Sequence, residues 1–108
     1  MSHITLTQLA ELISSGNQPF LLDVREPFEH EDINIGGTLI PLGDVVTKAS
    51  EIPTDVPVVV YCRKGIRSQI AIQRLQEKVG YNNLINLQGG IESIRNDEAL
   101  YTTLKAAK

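Results

Sequence analysis

One cysteine among 108 residues excludes an internal disulfide and leaves no second thiol in the chain to resolve an oxidised first one. That usage suits a reducing, cytoplasmic setting. Only two histidines are present, His3 and His30, and with Cys62 they show no CxxC, HxxxH or HxxE spacing, so a metal centre is not expected and the anticipated chemistry is cofactor-free. The net charge of -3 argues against a surface that wraps nucleic acid. No run of about 18 apolar residues exists, and the opening MSHITLTQLAELISS lacks a basic flank, so neither a membrane span nor an export leader is expected. Repeats, linkers and low-complexity segments are also missing.

What remains is an ordinary globular composition, with 42% hydrophobic and 21% charged residues, and a length that supports a core without staples. Residues 1–108 are expected to form one domain. Thr5 and Gln8 have the spacing of a capping box, and Leu6, Leu9, Leu12 and Ile13 recur at helical spacing before Gly16, which predicts a first helix. Phe20 to Val24 reads as a strand buried on both faces, REPFEHED as a charged turn, and LIPL after Gly36-Gly37 as a brief strand. A short helix is predicted from Gly43 to Ser50. Val58 to Tyr61 is the clearest strand, followed by a helix from about Ser68 to Val79 whose buried face is Ala71, Ile72, Leu75 and Val79, with Gly80 ending it. Leu84 to Leu87 reads as a strand, Gly89-Gly90 as a turn, and Ile91 onward as one or two short helices running into an alanine-lysine tail. Helices alternating with short two-faced strands predict an α/β domain on a parallel sheet of about five strands.

Cys62 then stands at a telling place. Open parallel sheets bind ligands beyond the carboxyl ends of their strands, and Cys62 follows Tyr61 directly, ahead of the loop that feeds a helix. Free amides at that helix start, together with Arg63, Lys64 and Arg67, favour negative charge on sulfur, and Gly65 lets the loop curl so that its amides point inward. An isolated cysteine is more often an inert core residue, but the basic loop and the strand end reverse that expectation. Cysteine phosphatases place arginine six residues after the cysteine; here that position is Ser68 and the arginine comes one place early, at Arg67. The tighter ring suits a sulfur atom carried on Cys62 better than a phosphate.

The segments LLDVREPFEHEDINIGGTLIPL, VVVYCRKGIRS and LINLQGGI, in this order, resemble the signature segments of single-domain rhodanese sulfurtransferases over nearly the whole chain. The resemblance implies a rhodanese-like three-layer α/β/α fold on a small, mainly parallel five-stranded sheet. It implies that Cys62 carries a persulfide, that Arg63, Lys64, Gly65, Ile66, Arg67 and Ser68 form the substrate-binding loop, and that Asp23 and Arg25 support the site through ion pairs and hydrogen bonds. It further implies a small sulfur donor such as thiosulfate and a thiol, cyanide or protein acceptor, with sulfur-relay proteins as candidate partners. Two positions depart from the family pattern: Asn34 replaces a frequent histidine and Ile91 a frequent tryptophan, neither expected to touch the nucleophile. Arg25 is expected to pair with Glu26 or Glu29, His30 to lie on the surface, and Phe28 to staple the turn onto the core.

Two other functions fit a cysteine in this setting, and a third does not. A protein-partnered sulfur carrier for thio-cofactor or thio-tRNA synthesis would turn over little free thiosulfate. A regulatory module would use Cys62 to sense oxidants, through reversible sulfenylation without sulfur transfer. A phosphatase or arsenate reductase is disfavoured by the loop length and the missing resolving cysteines.

Overall fold

Four consecutive residues that tolerate no water, Val58 to Tyr61, form the central strand of the sheet, and each is fully buried. In the computed structural model, which describes residues 1–105, the strands are β1 (Ser2–Ile4), β2 (Phe20–Asp23), β3 (Thr38–Leu39), β4 (Val58–Tyr61) and β5 (Leu84–Leu87). They make one sheet in the order β1-β5-β4-β2-β3, with every neighbouring pair parallel. Burial on both faces explains why β4 is an unbroken apolar run rather than an alternating one.

The helices are α1 (Leu6–Ser14), α2 (Pro27–Asp32), α3 (Ile66–Val79) and α4 (Glu98–Lys105). On one face of the sheet, Ala71, Ile72 and Leu75 of α3 pack with Val45, Ala49 and Ile52 over Leu22, Val58 and Val60. On the other, Leu6, Leu9 and Ala10 of α1 and Leu104 of α4 cover Leu21, Val59, Tyr61 and Leu87. This is the expected three-layer α/β/α arrangement. Alternation along β2 and β4 divides their side chains between the two layers.

The capping box that opens α1 forms as the sequence predicts: Thr5 Oγ1 accepts from the Gln8 N–H at 3.1 Å, and Gln8 Oε1 accepts from the Thr5 N–H at 2.9 Å. Elsewhere the chain differs from the sequence reading. REPFEHED is not only a turn, because Pro27–Asp32 is a helix, held at its start by Pro27 and by Glu29 accepting from the Glu26 N–H. The segment expected as a helix from Gly43 to Ser50 instead forms two short 3₁₀ turns, Leu42–Asp44 and Ala49–Glu51. The β2 strand stops at Asp23, one residue early, and β3 covers Thr38–Leu39 rather than LIPL. α3 begins at Ile66, two residues earlier than expected, and its Val79 is exposed. The chain leaves α3 at Gly80, in the left-handed conformation, and Tyr81 takes the place in the core, donating its hydroxyl to Ala49 O and Ile52 O. The alanine-lysine tail lies outside the described residues beyond Lys105.

Candidate active site

Three loops leaving the carboxyl edge of the sheet meet around Cys62. Asp23 ends β2 and lies in register with Tyr61 of β4, so the residues after both strands emerge side by side. The turn after β5 is sewn to the residues after β4: the Ile91 N–H donates to Cys62 O at 3.1 Å and the Glu92 N–H to Arg63 O at 3.0 Å. This contact requires the second glycine of the Gly89-Gly90 turn. A Cβ on Gly90 would lie 2.3 Å from Arg63 O and 2.6 Å from Cys62 O, and the residue sits at φ +66°.

The cysteine loop curls around its own sulfur. Gly65, at φ +91°, caps α3, and its N–H donates to Cys62 Sγ at 3.0 Å. The Ser68 N–H, in the first turn of α3, also points at Sγ, at 3.4 Å. Cys62 is 1% exposed, and its S–H donates to Ser68 Oγ at 3.5 Å. Two backbone donors and the start of a 14-residue helix therefore converge on one sulfur, an arrangement that stabilises negative charge there. Such a sulfur can act as a nucleophile.

The basic residues of the loop divide. Arg67 is bound bidentately to Glu29 of α2, Nη1 to Oε1 at 2.7 Å and Nη2 to Oε2 at 2.8 Å. The hydrogen bonds from Arg67 bring the Glu29 carboxyl down to about 2, against the desolvation that would raise it. Arg63 reaches Glu92 at 2.8 Å on the surface, whereas Lys64 and Ile66 are exposed at the loop tip. The two terminal nitrogens of Arg67 thus face a carboxylate, and the donors that face the sulfur are backbone amides.

Behind the loop lies a buried ionic cluster. Asp23 is fully buried and accepts from the Arg25 N–H at 3.0 Å, from Arg25 Nε at 2.9 Å and from Arg25 Nη2 at 2.8 Å. The expected pairing of Arg25 with Glu26 or Glu29 is therefore corrected: two residues apart, Asp23 folds back on Arg25, and Glu29 serves Arg67. Arg25 also donates to Ile33 O at 2.7 Å and lies 5.5 Å from the centre of the Tyr61 ring. The Tyr61 hydroxyl donates to Gly36 O, and burial pushes its phenol well above the ordinary range. His30 is not simply a surface residue, since its Nδ1 sits 2.8 Å from Asp23 Oδ2. Its role there had no sequence signal, because nothing in the spacing of EHED distinguishes an inward from an outward imidazole. Phe28, expected as a staple, is 71% exposed: it neighbours Glu29, which turns inward to Arg67, and adjacent helical residues face different ways. Asn34 donates to His30 O and accepts from the Gly36 N–H, which fastens the segment that leads from α2 to β3. Ile91 is buried and meets Cys62 through its backbone rather than at the sulfur.

Asn86 is the residue of this region that the sequence reading passed over. It is 1% exposed on β5, and its Oδ1 accepts the Ser68 hydroxyl at 2.5 Å. A polar residue inside the apolar strand LINL was the available signal.

Comparison with known proteins places the chain's sequence and fold in a family. The family model for the rhodanese-like domain matches residues 5–97. A Mycobacterium tuberculosis protein described as a probable adenylyltransferase/sulfurtransferase, MoeZ, is 35% identical over 96 residues, which cover 83% of this chain and 24% of that protein. The chain therefore spans about a quarter of that relative's length. A protein of Allochromatium vinosum described as a sulfurtransferase is 35% identical over 92 residues, 84% of this chain and 85% of its own. The crystal structure of a rhodanese-related protein from Thermoplasma volcanium superposes with a TM-score of 0.76 at 30% identity, covering 90% of this chain and 94% of the other.

Proposed function

The chain belongs to the rhodanese-like domain family, and from that premise we propose that it is a sulfurtransferase that moves sulfane sulfur through a persulfide on Cys62. The observation that carries the reading is the convergence of the Gly65 and Ser68 N–H groups on Cys62 Sγ at the carboxyl end of β4. The names of two relatives, both of which include sulfurtransferase, support the same reaction class.

With thiosulfate as donor, the Cys62 thiolate attacks the outer sulfur. An Sγ–S bond forms as the bond between the two sulfurs of thiosulfate breaks, and its electron pair leaves with sulfite. The loop amides carry the negative charge that now resides on the terminal sulfur. An outside nucleophile then takes that sulfur: cyanide leaves as thiocyanate, or a thiol as its persulfide, and the Cys62 thiolate is restored. The acceptor must come from outside, because the chain holds no second cysteine.

The test is the intact mass of the protein after brief exposure to thiosulfate without reductant, beside Cys62→Ser. A gain of one sulfur atom confined to the parent chain, reversed by cyanide or a thiol, is expected. Equal gain in both proteins would refute the assignment of Cys62.

A second reading is a sulfur carrier loaded by a protein partner. It is supported by the loop-tip Ile66, 65% exposed, and by Phe28, which flank the Arg67–Glu29 pair in sequence and offer apolar surface to a docking protein. The description of MoeZ, which joins an adenylyltransferase to a sulfurtransferase, is consistent with such a relay. Loading of Cys62 by a cysteine desulfurase, with none from thiosulfate, is the outcome expected of a carrier.

A further inference from the structure

Ser68 has one hydroxyl proton, and the structure commits it away from the sulfur. The proton goes to Asn86 Oδ1, so the oxygen turns its lone pairs to Cys62, where it accepts the S–H. The other end of the Asn86 amide is engaged too, with Nδ2 placed 3.2 Å from Nδ1 of His3 on the neighbouring strand β1. Asn86 is thus held by both ends, and Asn86, Ser68 and Cys62 are all buried.

We propose that Asn86 is a positioning residue for Cys62: by taking the Ser68 proton it presents only lone pairs to the sulfur, and so favours the resting thiol against the loop amides that favour the thiolate. The inference rests on the reading of Cys62 as the reacting group. It gives a physical reason for a buried amide in an otherwise apolar strand, where an unpaired polar group would be costly. It also answers a chemical need. A thiolate in this loop would be open to oxidation with no second cysteine in the chain to rescue it, and a thiol is far less reactive.

The charged groups at this end of the sheet include Arg67 with Glu29, Arg63 with Glu92, Arg95 with Asp32, the cluster of Asp23, Arg25 and His30, and exposed Lys64; His3 faces Asn86 from β1. Replacing Asn86 by leucine, which branches at the same carbon, alters none of these charges. It releases the Ser68 hydroxyl to rotate and donate to sulfur.

The experiment measures alkylation of Cys62 by iodoacetamide, followed by intact mass, and needs no sulfur transfer. At about pH 6, Asn86→Leu is expected to react about tenfold faster than the parent, while at about pH 9 the rates agree within about twofold. Ser68→Ala, which deletes the lone pairs and leaves both N–H donors, should accelerate the reaction in the same manner, and the double variant should be no faster than either single one. An unchanged rate for Asn86→Leu at the lower pH, or equal acceleration at both, overturns the proposal, since a merely loosened site would react faster at every pH. Should the leucine variant not fold, Asn86→Val, β-branched and suited to a strand, replaces it with the same expectations. Sulfur loading is measured separately: if Cys62 never loads and the alkylation pattern holds, the sulfurtransferase reading fails and the role of Asn86 stands.

Discussion

Arg67 and Glu29, thirty-eight residues apart, face each other through two parallel hydrogen bonds of 2.7 and 2.8 Å and tie the cysteine loop to α2. Glu29 is 16% exposed and Arg67 34%, so the pair is partly shielded from solvent and salt.

This pair sets an acid limit on stability. The carboxyl of Glu29 is lowered from 4.5 to about 2, so its contribution is fully present above about pH 4.5 and is lost as pH falls through about 2. Glu29→Gln should therefore cost on the order of 1–2 kcal/mol at neutral pH, after discounting for the exposure of Arg67. The difference from the parent chain should shrink as the pH falls below about 4.5. Denaturation midpoints of both proteins from pH 7 to pH 2 check it; parallel curves over the whole range would show that the pair is not the source.

The Asp23 cluster should matter more. Asp23 is fully buried and Arg25 is 3% exposed, so removing the carboxylate strands a guanidinium in the core. Asp23→Ala is expected to cost about 3–5 kcal/mol, as breaking one side of a buried ion pair does. Urea denaturation measures the loss, and a cost below about 1 kcal/mol would indicate that Arg25 finds solvent or another partner.

Tyr61 offers a smaller and cleaner loss. Its hydroxyl donates to Gly36 O at 2.9 Å, in a buried position under the α2–β3 segment. Tyr61→Phe keeps the ring beneath Arg25 and leaves one carbonyl unpaired, for an expected cost of about 1–3 kcal/mol. The phenol of the parent chain, pushed up by burial, should show no ionisation in absorbance through the pH range in which exposed tyrosines titrate.

The sequence reading succeeded where local chemistry and tertiary packing agree. The β-branched run Val58 to Tyr61, the Thr5–Gln8 box and the Gly80 stop each determine their own structure, and each lies where expected. The cysteine loop was legible because a strand, a lone thiol, a glycine and three basic residues fall within the ten positions from Val58 to Arg67. The misses share the opposite property. β1 is three residues, Ser2–Ile4, with only Ile4 buried, so it carries no periodicity and exists because β5 offers it an edge. α2 buries none of its residues and so lacks an apolar stripe; its caps and its bond to Arg67 hold it. The partners of Asp23, Arg67 and Asn86 lie on separate elements or depend on side-chain direction, which one sequence does not encode locally.

The two closing glycines allow the most discriminating mutation. Both have positive φ, +80° at Gly89 and +66° at Gly90, so alanine at either is strained by about 1–2 kcal/mol. They differ in what a side chain would meet. A Cβ at Gly89 has nothing within 4 Å, whereas one at Gly90 runs into the carbonyl oxygens of Arg63 and Cys62. Gly89→Ala should therefore lose stability and keep sulfur loading. Gly90→Ala should push the backbone of Cys62 and Arg63 away from the Ile91 and Glu92 N–H groups, displace Sγ from its amide donors, and slow loading by about tenfold or more, since misplacement of this order at a reacting atom carries large rate penalties. Loading rate from the mass assay, set beside the denaturation midpoint of each variant, separates the two effects. If both alanines slow loading in proportion to lost stability, the close approach at Gly90 has no special part in positioning the sulfur; if Gly90→Ala alone departs from that line, the β5 turn is a component of the site.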